Sequence, residues 1–223
     1  MASAGFVHLH GHSEYSLLDG GCRIGEMAET AAELGMPALA VTDHGNLFGT
    51  IEHYKACKTA GIKPIIGCEV YVAIESRHLR KAARGLTHAS NHLVLLAKNA
   101  TGYRNLTKLV SKGYLEGFYY NPRIDKELLR EHSEGLICMS ACIGGEVPHM
   151  IQREGYNEAE KIAREFMEIF GDDYYLEIQR HDIEPEVKVN ENLLRLHDKL
   201  GIPLVATNDF HFLHADDHDA HDA

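Results

Sequence analysis

The sequence contains no apolar run close to the roughly 18 residues that a membrane-spanning helix needs. Residues 1–5 also lack the basic segment and the apolar core of an export signal. These two absences argue against a membrane protein or a membrane partner, and they favour a cytoplasmic location.

Cysteine is absent from the patterns that would give it a structural role. The five cysteines are an odd number and include no C-x-x-C pair. The sequence therefore predicts neither a disulfide framework nor a zinc finger. We expect most of these cysteines to be small buried residues.

Positive charge is scarce, and the formal net charge is −11. A surface that coats nucleic acid is basic, so the composition argues against that class of protein. The chain nevertheless has 16 histidines, and carboxylates gathered around bound cations no longer repel a phosphate. The charge is therefore compatible with a phosphate-bearing ligand.

The 223 residues, 44% hydrophobic and 25% charged, suit a soluble protein with one large α/β domain or two small ones. Apolar segments of strand length alternate with segments of helical period, which is typical of a βα-repeating domain with a parallel sheet. Strands are predicted at 6–10, 38–42, 64–72, 93–97, 136–139, 174–178 and 204–206. Helices are predicted at 24–34, 47–60, 103–115, 158–170 and 187–200.

Glycine and proline mark the ends of the predicted helices. A glycine that can cap the carboxyl end follows four of them, at Gly35, Gly61, Gly171 and Gly201. A proline comes soon after three of these glycines, at residues 37, 64 and 203, and we expect it to introduce the next strand.

Two segments interrupt this rhythm. Residues 75–91 are polar, and we favour a mobile solvated loop over a nucleic-acid contact; the candidate substrate contacts there are Arg77, Arg80, Lys81 and Arg84. Residues 117–125 are aromatic, and core packing is favoured over a partner surface or a base-stacking platform. Residues 215–223 resemble the opening of an acidic helix without a stop, so we expect the chain to be part of a longer one.

Side chains that can bind metals recur at or near the ends of the predicted strands. His8, His10 and His12 alternate in the first strand, where alternate residues share one face. Each such residue alone has an ordinary explanation as a cap, a turn or a hydrogen-bonded core residue. Their joint occurrence favours a multinuclear metal site, and the later candidates are Asp19, Asp43, His44, Glu69, Cys142, Asp209 and His211.

Four stretches resemble the polymerase and histidinol phosphatase (PHP) domain family. They read FVHLHGHSEYSLLDG at 6–20, GMPALAVTDHGN at 35–46, GIKPIIG at 61–67 and VATND at 205–209. More narrowly, they are similar to the N-terminal PHP domain of bacterial DNA polymerase III alpha subunits, as are residues 99–106 and 134–137. The likeness covers essentially the whole chain, so we expect residues 1–223 to form a single PHP domain from the N-terminal part of a longer polymerase chain.

The resemblance implies a distorted seven-stranded (β/α) barrel, with metal ions at the carboxyl ends of its strands. The family's ligand pattern falls on nine residues of this sequence. The first metal's set resembles His10, His12, Glu69 and Asp209. Glu69 would also bridge to a second metal, which His92 and Cys142 would hold. The third metal's set resembles Asp19, His44 and His211. Cys142 stands where phosphatase members of the family have a histidine, and His8 matches no family ligand.

Two or three divalent ions at such a site suit phosphoester hydrolysis, because they lower the pKa of a bound water and hold the phosphate oxygens. The mixture of imidazole, carboxylate and thiolate favours zinc or manganese, with magnesium as the alternative. We expect the nucleophile to be a metal-bound water positioned by Glu69, Asp19 and His44.

Three functions are compatible with this site. The favoured one is a 3′→5′ exonuclease that removes mispaired DNA primer ends for its parent polymerase. The second is a structural module that supports the rest of the alpha chain and docks a separate proofreading exonuclease. The third is a free-standing small-molecule phosphatase similar to histidinol phosphatase. Nothing in the chain resembles a polymerase palm or fingers, so nucleotidyl transfer is expected only of the parent chain.

Overall fold

The computed structural model describes residues 5–17, 19–81 and 89–221. Within them, seven strands form one curled sheet: β1 (Ala38–Val41), β2 (Lys63–Ala73), β3 (Ser90–Ala97), β4 (Arg123–Ile124), β5 (Leu136–Met139), β6 (Tyr174–Ile178) and β7 (Leu204–Ala206). The strand order is β1-β2-β3-β5-β6-β7, and the short β4 pairs with β2. The predicted α/β fold with a distorted seven-stranded barrel is confirmed.

Eight α-helices lie in the described residues: α1 (Ile24–Glu33), α2 (Thr50–Ala60), α3 (Ala100–Glu116), α4 (Lys126–His132), α5 (Glu146–Arg153), α6 (Tyr156–Phe170), α7 (Glu184–Leu200) and α8 (His218–His221). None of those described is long and apolar enough to cross a membrane. The five predicted helices correspond to α1, α2, α3, α6 and α7. The short α4 and α5 were not predicted. All four glycines expected at helix ends have positive φ, and Gly61 and Gly201 adopt the left-handed conformation of a helix cap.

The prediction of a strand at 6–10 is wrong, because these residues form no regular strand. This segment bonds to β1, and the residues just after it bond to Phe210 beyond the end of β7, so no continuous ladder forms. His8 O accepts a hydrogen bond from Ala40 N at 2.9 Å, and His12 N donates to Phe210 O at 2.9 Å. The chain from His8 to His12 thereby links β1 to the residues that follow β7, and His10 and His12 are completely buried there.

The prediction of a parallel sheet is wrong at β3, which runs antiparallel to both β2 and β5. No helix separates β2 from β3 in the described residues, whereas parallel neighbours require a crossover connection. Because β3 is reversed, its first residues lie beside the carboxyl end of β2, and His92 is paired in register with Tyr71.

The helices cover the outer face of the sheet and bury two main apolar clusters. The larger cluster joins β2, β3, β5 and β6 to α3, α4, α5, α6 and α7, and includes Leu95, Leu109, Phe166 and Leu193. The smaller one packs α1 and α2 against β1. Burial of these side chains contributes most of the driving force for folding, and it leaves the ends of the strands free to carry polar groups.

The aromatic segment at 117–125 packs only in part. Tyr119 lies over the guanidinium of Arg123 at 5.1 Å, but the expectation of core packing is wrong for Phe118 and Tyr120, which are 50% and 83% exposed. Arg123 is fully buried and donates hydrogen bonds to the carbonyls of Gly117, Arg77 and Leu79. It thereby ties the aromatic segment to the start of the polar loop.

Candidate metal centre

All nine residues that the resemblance picked out lie at one end of the barrel. His10 and His12 come from the segment between β1 and β7, and His44 follows β1. Glu69 lies within β2 and His92 within β3. The remaining donors follow the first segment, β5 and β7, and they are Asp19, Cys142, Asp209 and His211.

The first group consists of His10, His12, Glu69 and Asp209, and it is almost completely buried. Glu69 Oε2 lies 3.2 Å from His10 Nε2 and 3.1 Å from His12 Nε2. Asp209 Oδ1 lies 3.1 Å from each of the same two nitrogens. Donors bound at about 2.0–2.2 Å to one tetrahedral ion stand about 3.3–3.6 Å apart, so the four atoms have nearly the spacing of a single coordination shell.

The second group forms around the other oxygen of Glu69. Oε1 lies 2.8 Å from His92 Nδ1, and the Cys142 sulfur lies 3.9 Å from both of those atoms. This is slightly beyond the roughly 3.6 Å expected for sulfur and nitrogen on one zinc ion. Burial and the charge of Glu69 raise the pKa of the Cys142 thiol well above its usual value, so a thiolate there requires a cation beside it.

The third group is the most accessible. Asp19 Oδ2 lies 2.7 Å from His44 Nε2 and 3.2 Å from His211 Nε2. The ring of His12 stacks on the rings of His44 and His211, with centroids 4.2 and 4.3 Å apart, so the third group adjoins the first. The sequence did not single out His221, whose Nε2 lies 4.0 Å from Asp19 Oδ1.

The buried donors fit a cation better than they fit one another. Among the described residues, His10 Nε2, His44 Nδ1 and Glu69 Oε2 are buried without any hydrogen bond. They are close to polar atoms all the same, since His10 Nε2 lies 3.2 Å from Glu69 Oε2. Buried polar atoms that face each other in poor hydrogen-bond geometry are expensive, and a divalent ion between them removes that cost.

Burial and the neighbouring charges shift the pKa values of this cluster in opposite directions. Burial lowers the pKa of His12, but hydrogen bonds with Asp209 and Glu69 raise it to about 9. Burial also lowers the pKa of His10, yet the negative charges of Glu177, Asp209 and Glu69 hold it well above its usual value. Burial raises the pKa of Glu69, but the charge of His10 helps to hold it well below its usual range. Cations that bind here must therefore displace protons from imidazoles.

The candidate substrate contacts are less well placed for that role. Arg77 is largely buried, and its Nη1 lies 2.9 and 3.0 Å from the two carboxylate oxygens of Asp125. Its charge is thus already neutralised inside the protein. Arg80 and Lys81 are exposed, and Arg84 lies outside the described residues.

Comparison with known proteins identifies the family. A family model described as "PHP domain" matches residues 8–181. The chain belongs to the PHP domain family. The match spans both the first donor segment and β6, so it includes the strands that carry Glu69 and His92.

This PHP domain is similar to the DNA polymerase III alpha subunits of several bacteria. It is 52% identical to that of Borreliella burgdorferi over 217 residues, which are 97% of this chain and 19% of that protein. It is 50% identical to that of Treponema pallidum over 223 residues, which are 100% of this chain and 19% of that protein. The chain thus spans less than a fifth of the length of these relatives.

Two solved structures share the PHP fold of this chain. An amidohydrolase from Chromobacterium violaceum with bound sulfate and no metal has a TM-score of 0.55 and 17% identity, covering 92% of this chain and 87% of that chain. A candidate metal-dependent phosphoesterase from Bifidobacterium adolescentis has a TM-score of 0.56 and 15% identity, with the same coverage of both chains. At these identities the likeness shows the fold alone.

Polar networks behind the PHP donors were not predicted. Ser16 Oγ donates to Asp43 Oδ1 at 2.8 Å and lies 2.9 Å from His12 Nδ1, while His44 N donates to Ser16 Oγ at 3.1 Å. Asp43 is therefore a buried acceptor that holds the donors, and it is not one of the nine. Glu177 lies 2.6 Å from His10 Nδ1. In the sequence Glu177 resembles Glu69, since each is a carboxylate in an apolar strand.

Proposed function

We propose that this PHP domain is a metal-dependent phosphoesterase, and more narrowly a 3′→5′ exonuclease acting on DNA primer ends with two or three divalent ions. The proposal is carried by one observation: both oxygens of Glu69 are used, one in each of two donor groups. A carboxylate shared in this way would hold two divalent ions, and a pair of ions suits phosphoryl transfer to water.

The residues differ in what they can do for such a reaction. When bound, divalent ions supply a water of lowered pKa and neutralise charge on the phosphate. The His10 side chain is 0% exposed and can only hold an ion, whereas Asp19 is 44% exposed and marks the side from which a substrate enters. His44 and His211 lie beside Asp19 and are partly exposed, so with Asp19 they would hold an ion on the side that the substrate enters. Zinc or manganese suits the mixed donors better than magnesium does.

The similarity to polymerase III alpha subunits supports a larger context for this activity. We infer that the domain belongs to a replicative polymerase chain, with the remainder of that chain as a permanent partner. A separate proofreading exonuclease is a further candidate partner.

The test is release of nucleotides from the 3′ end of a labelled primer, with added Mn²⁺ or Zn²⁺. The proposal expects chelator-sensitive release that Asp19→Asn and Glu69→Gln abolish, because both substitutions preserve shape and remove a charged donor. Glu165→Gln is a matched control. Glu165 lies on α6, away from the nine donors, and it pairs with Lys126 of α4 at 2.7 Å. Equal, slow degradation by wild type and both donor variants contradicts the proposal.

The principal alternative is that the metals serve stability alone. The complete burial of His10 and His12 favours it, because an ion held there is tied directly to the folded state. In that case the donor variants lower the melting temperature and any activity of the full-length polymerase, and the wild type shows no chelator-sensitive nuclease. Comparing primer ends with histidinol phosphate tests the third function, a small-molecule phosphatase.

A further inference from the structure

Glu177 is a buried carboxylate directly behind the first donor group. It lies in β6, and its Oε1 is 2.6 Å from His10 Nδ1. Gln179 Nε2 donates to the same oxygen at 2.9 Å, and the Thr207 hydroxyl also donates to it. The backbone is fixed as well, because Glu177 N donates to Ser140 Oγ at 2.9 Å. The carboxylate therefore has one position and one imidazole to act on.

The charge of Glu177 has a single ionic partner among the described residues. Its side chain is 0% exposed, and its one ion pair there is with His10. Taking a carboxylate out of water is costly unless a cation compensates it. The other partners, Gln179 and Thr207, are neutral donors. Compensation must therefore come through the His10 ring, from a proton on it in the metal-free protein and from a cation at its far nitrogen once one is bound.

The far nitrogen of His10 points at the first donor group. His10 Nε2 lies 3.2 Å from Glu69 and 3.1 Å from Asp209, but makes no hydrogen bond to either. With Nδ1–H donated to Glu177, Nε2 is the nitrogen that a cation can take when it displaces the proton there. An imidazole between a carboxylate and a metal ion is held in one tautomer and becomes a stronger ligand.

We propose that Glu177 is a positioning residue that fixes His10 as an Nε2 donor and strengthens its hold on a divalent cation. This inference rests on the proposed function only in requiring that the first group binds a metal. It requires no nuclease activity.

The chain contains a matched control in the pair formed by His181 and Glu186. Glu186 is also buried, and its Oε1 lies 2.6 Å from His181 Nδ1. However, His181 Nε2 hydrogen-bonds to the carbonyl oxygen of Asn208 at 2.7 Å, so it has no lone pair free for a metal. Loss of the Glu186 charge should therefore leave metal binding unchanged.

The experiment measures Zn²⁺ affinity of the whole chain by competition with a chromophoric chelator. Glu177→Gln keeps the size of the side chain and removes its charge, and it should weaken the affinity by about 10- to 100-fold, the usual effect of losing such a partner. Glu186→Gln should bind as wild type does. Unchanged affinity in Glu177→Gln, or an equal loss in Glu186→Gln, overturns the inference.

A second measurement needs no variant and so does not depend on whether Glu177→Gln folds. Nitrogen-15 NMR of the zinc-loaded wild type should show His10 protonated at Nδ1 and coordinated through Nε2. Coordination through Nδ1, or no zinc at His10, overturns the inference. A zinc-loaded protein with this His10 signature but no DNA hydrolysis leaves the inference standing and defeats only the exonuclease proposal.

Discussion

Glu69→Gln is the substitution that should disturb this domain most, because one side chain serves two donor groups. Oε2 lies within 3.2 Å of His10, His12 and His44 nitrogens, and Oε1 lies 2.8 Å from His92 Nδ1. A neutral amide presents one weaker acceptor and one N–H group that repels a cation. We therefore expect the first and second groups to lose their ions while the third keeps its own.

The size of the effect follows from linkage. A metal present at 100 times its dissociation constant stabilises the fold by about 2.7 kcal/mol for each site, so two sites contribute about 5 kcal/mol. For a domain of this size about 2–4 °C corresponds to each kcal/mol, so about 10–20 °C of metal-induced stabilisation should disappear.

Thermal unfolding with excess Zn²⁺ and with excess chelator measures this difference directly. The wild type and Glu165→Gln should both melt higher with zinc, and Glu69→Gln should retain only the increment of the third group. The reasoning is refuted if zinc raises the melting temperature of Glu69→Gln as much as that of the wild type.

Three further predictions concern pH, packing and charge. The pKa of His12 is raised to about 9 in the metal-free cluster, so its contribution to stability is complete below pH 6.5 and is lost as the pH rises to 9. The melting temperature measured in chelator should therefore fall between pH 6.5 and 9. A constant melting temperature over that window contradicts the prediction. Gly11→Ala places a methyl group 2.1 Å from the Phe210 ring, so it should lower the free energy of unfolding in urea by about 1–3 kcal/mol. An unchanged urea midpoint would mean that the ring moves aside freely, and it would contradict this prediction. Arg77→Ala leaves the buried carboxylate of Asp125 without its cation, so it should lower the free energy of unfolding by about 3–5 kcal/mol and leave the metal content unchanged. Unchanged stability with weakened DNA binding would instead support Arg77 as a substrate contact.

The helices and their ends could be predicted because their signals are local. Gly61 and Gly201 adopt the left-handed conformation that a helix end requires, and such a requirement is visible in the sequence. The two-residue strand β4 carries no comparable signal, because it exists only through its pairing with β2. The segment at 6–10 has the composition of a strand, but its bond to β1 does not extend into a regular ladder.

The candidate site could be predicted in part, and the exceptions have a physical explanation. Donors such as His44 and Asp209 follow parallel strands, so their spacing indicated a shared edge of the sheet. His92 precedes the strand predicted at 93–97, although the structure includes it in β3, and only the family resemblance picked it out. Because β3 is antiparallel, its first residues lie at the same edge as the carboxyl ends of its neighbours. Glu177 has the same sequence signal as Glu69, a carboxylate in an apolar strand, but its partner His10 is distant in the sequence, so its role becomes evident only in the fold.

The central claim, that this PHP domain holds a cluster of divalent ions, is tested most directly by elemental analysis of the purified chain after loading with Zn²⁺ or Mn²⁺ and removal of free metal. The three donor groups predict about three ions per chain, falling to about one in Glu69→Gln and about two in Asp19→Asn, since those side chains serve two groups and one group respectively. A metal-free wild type after loading contradicts the account.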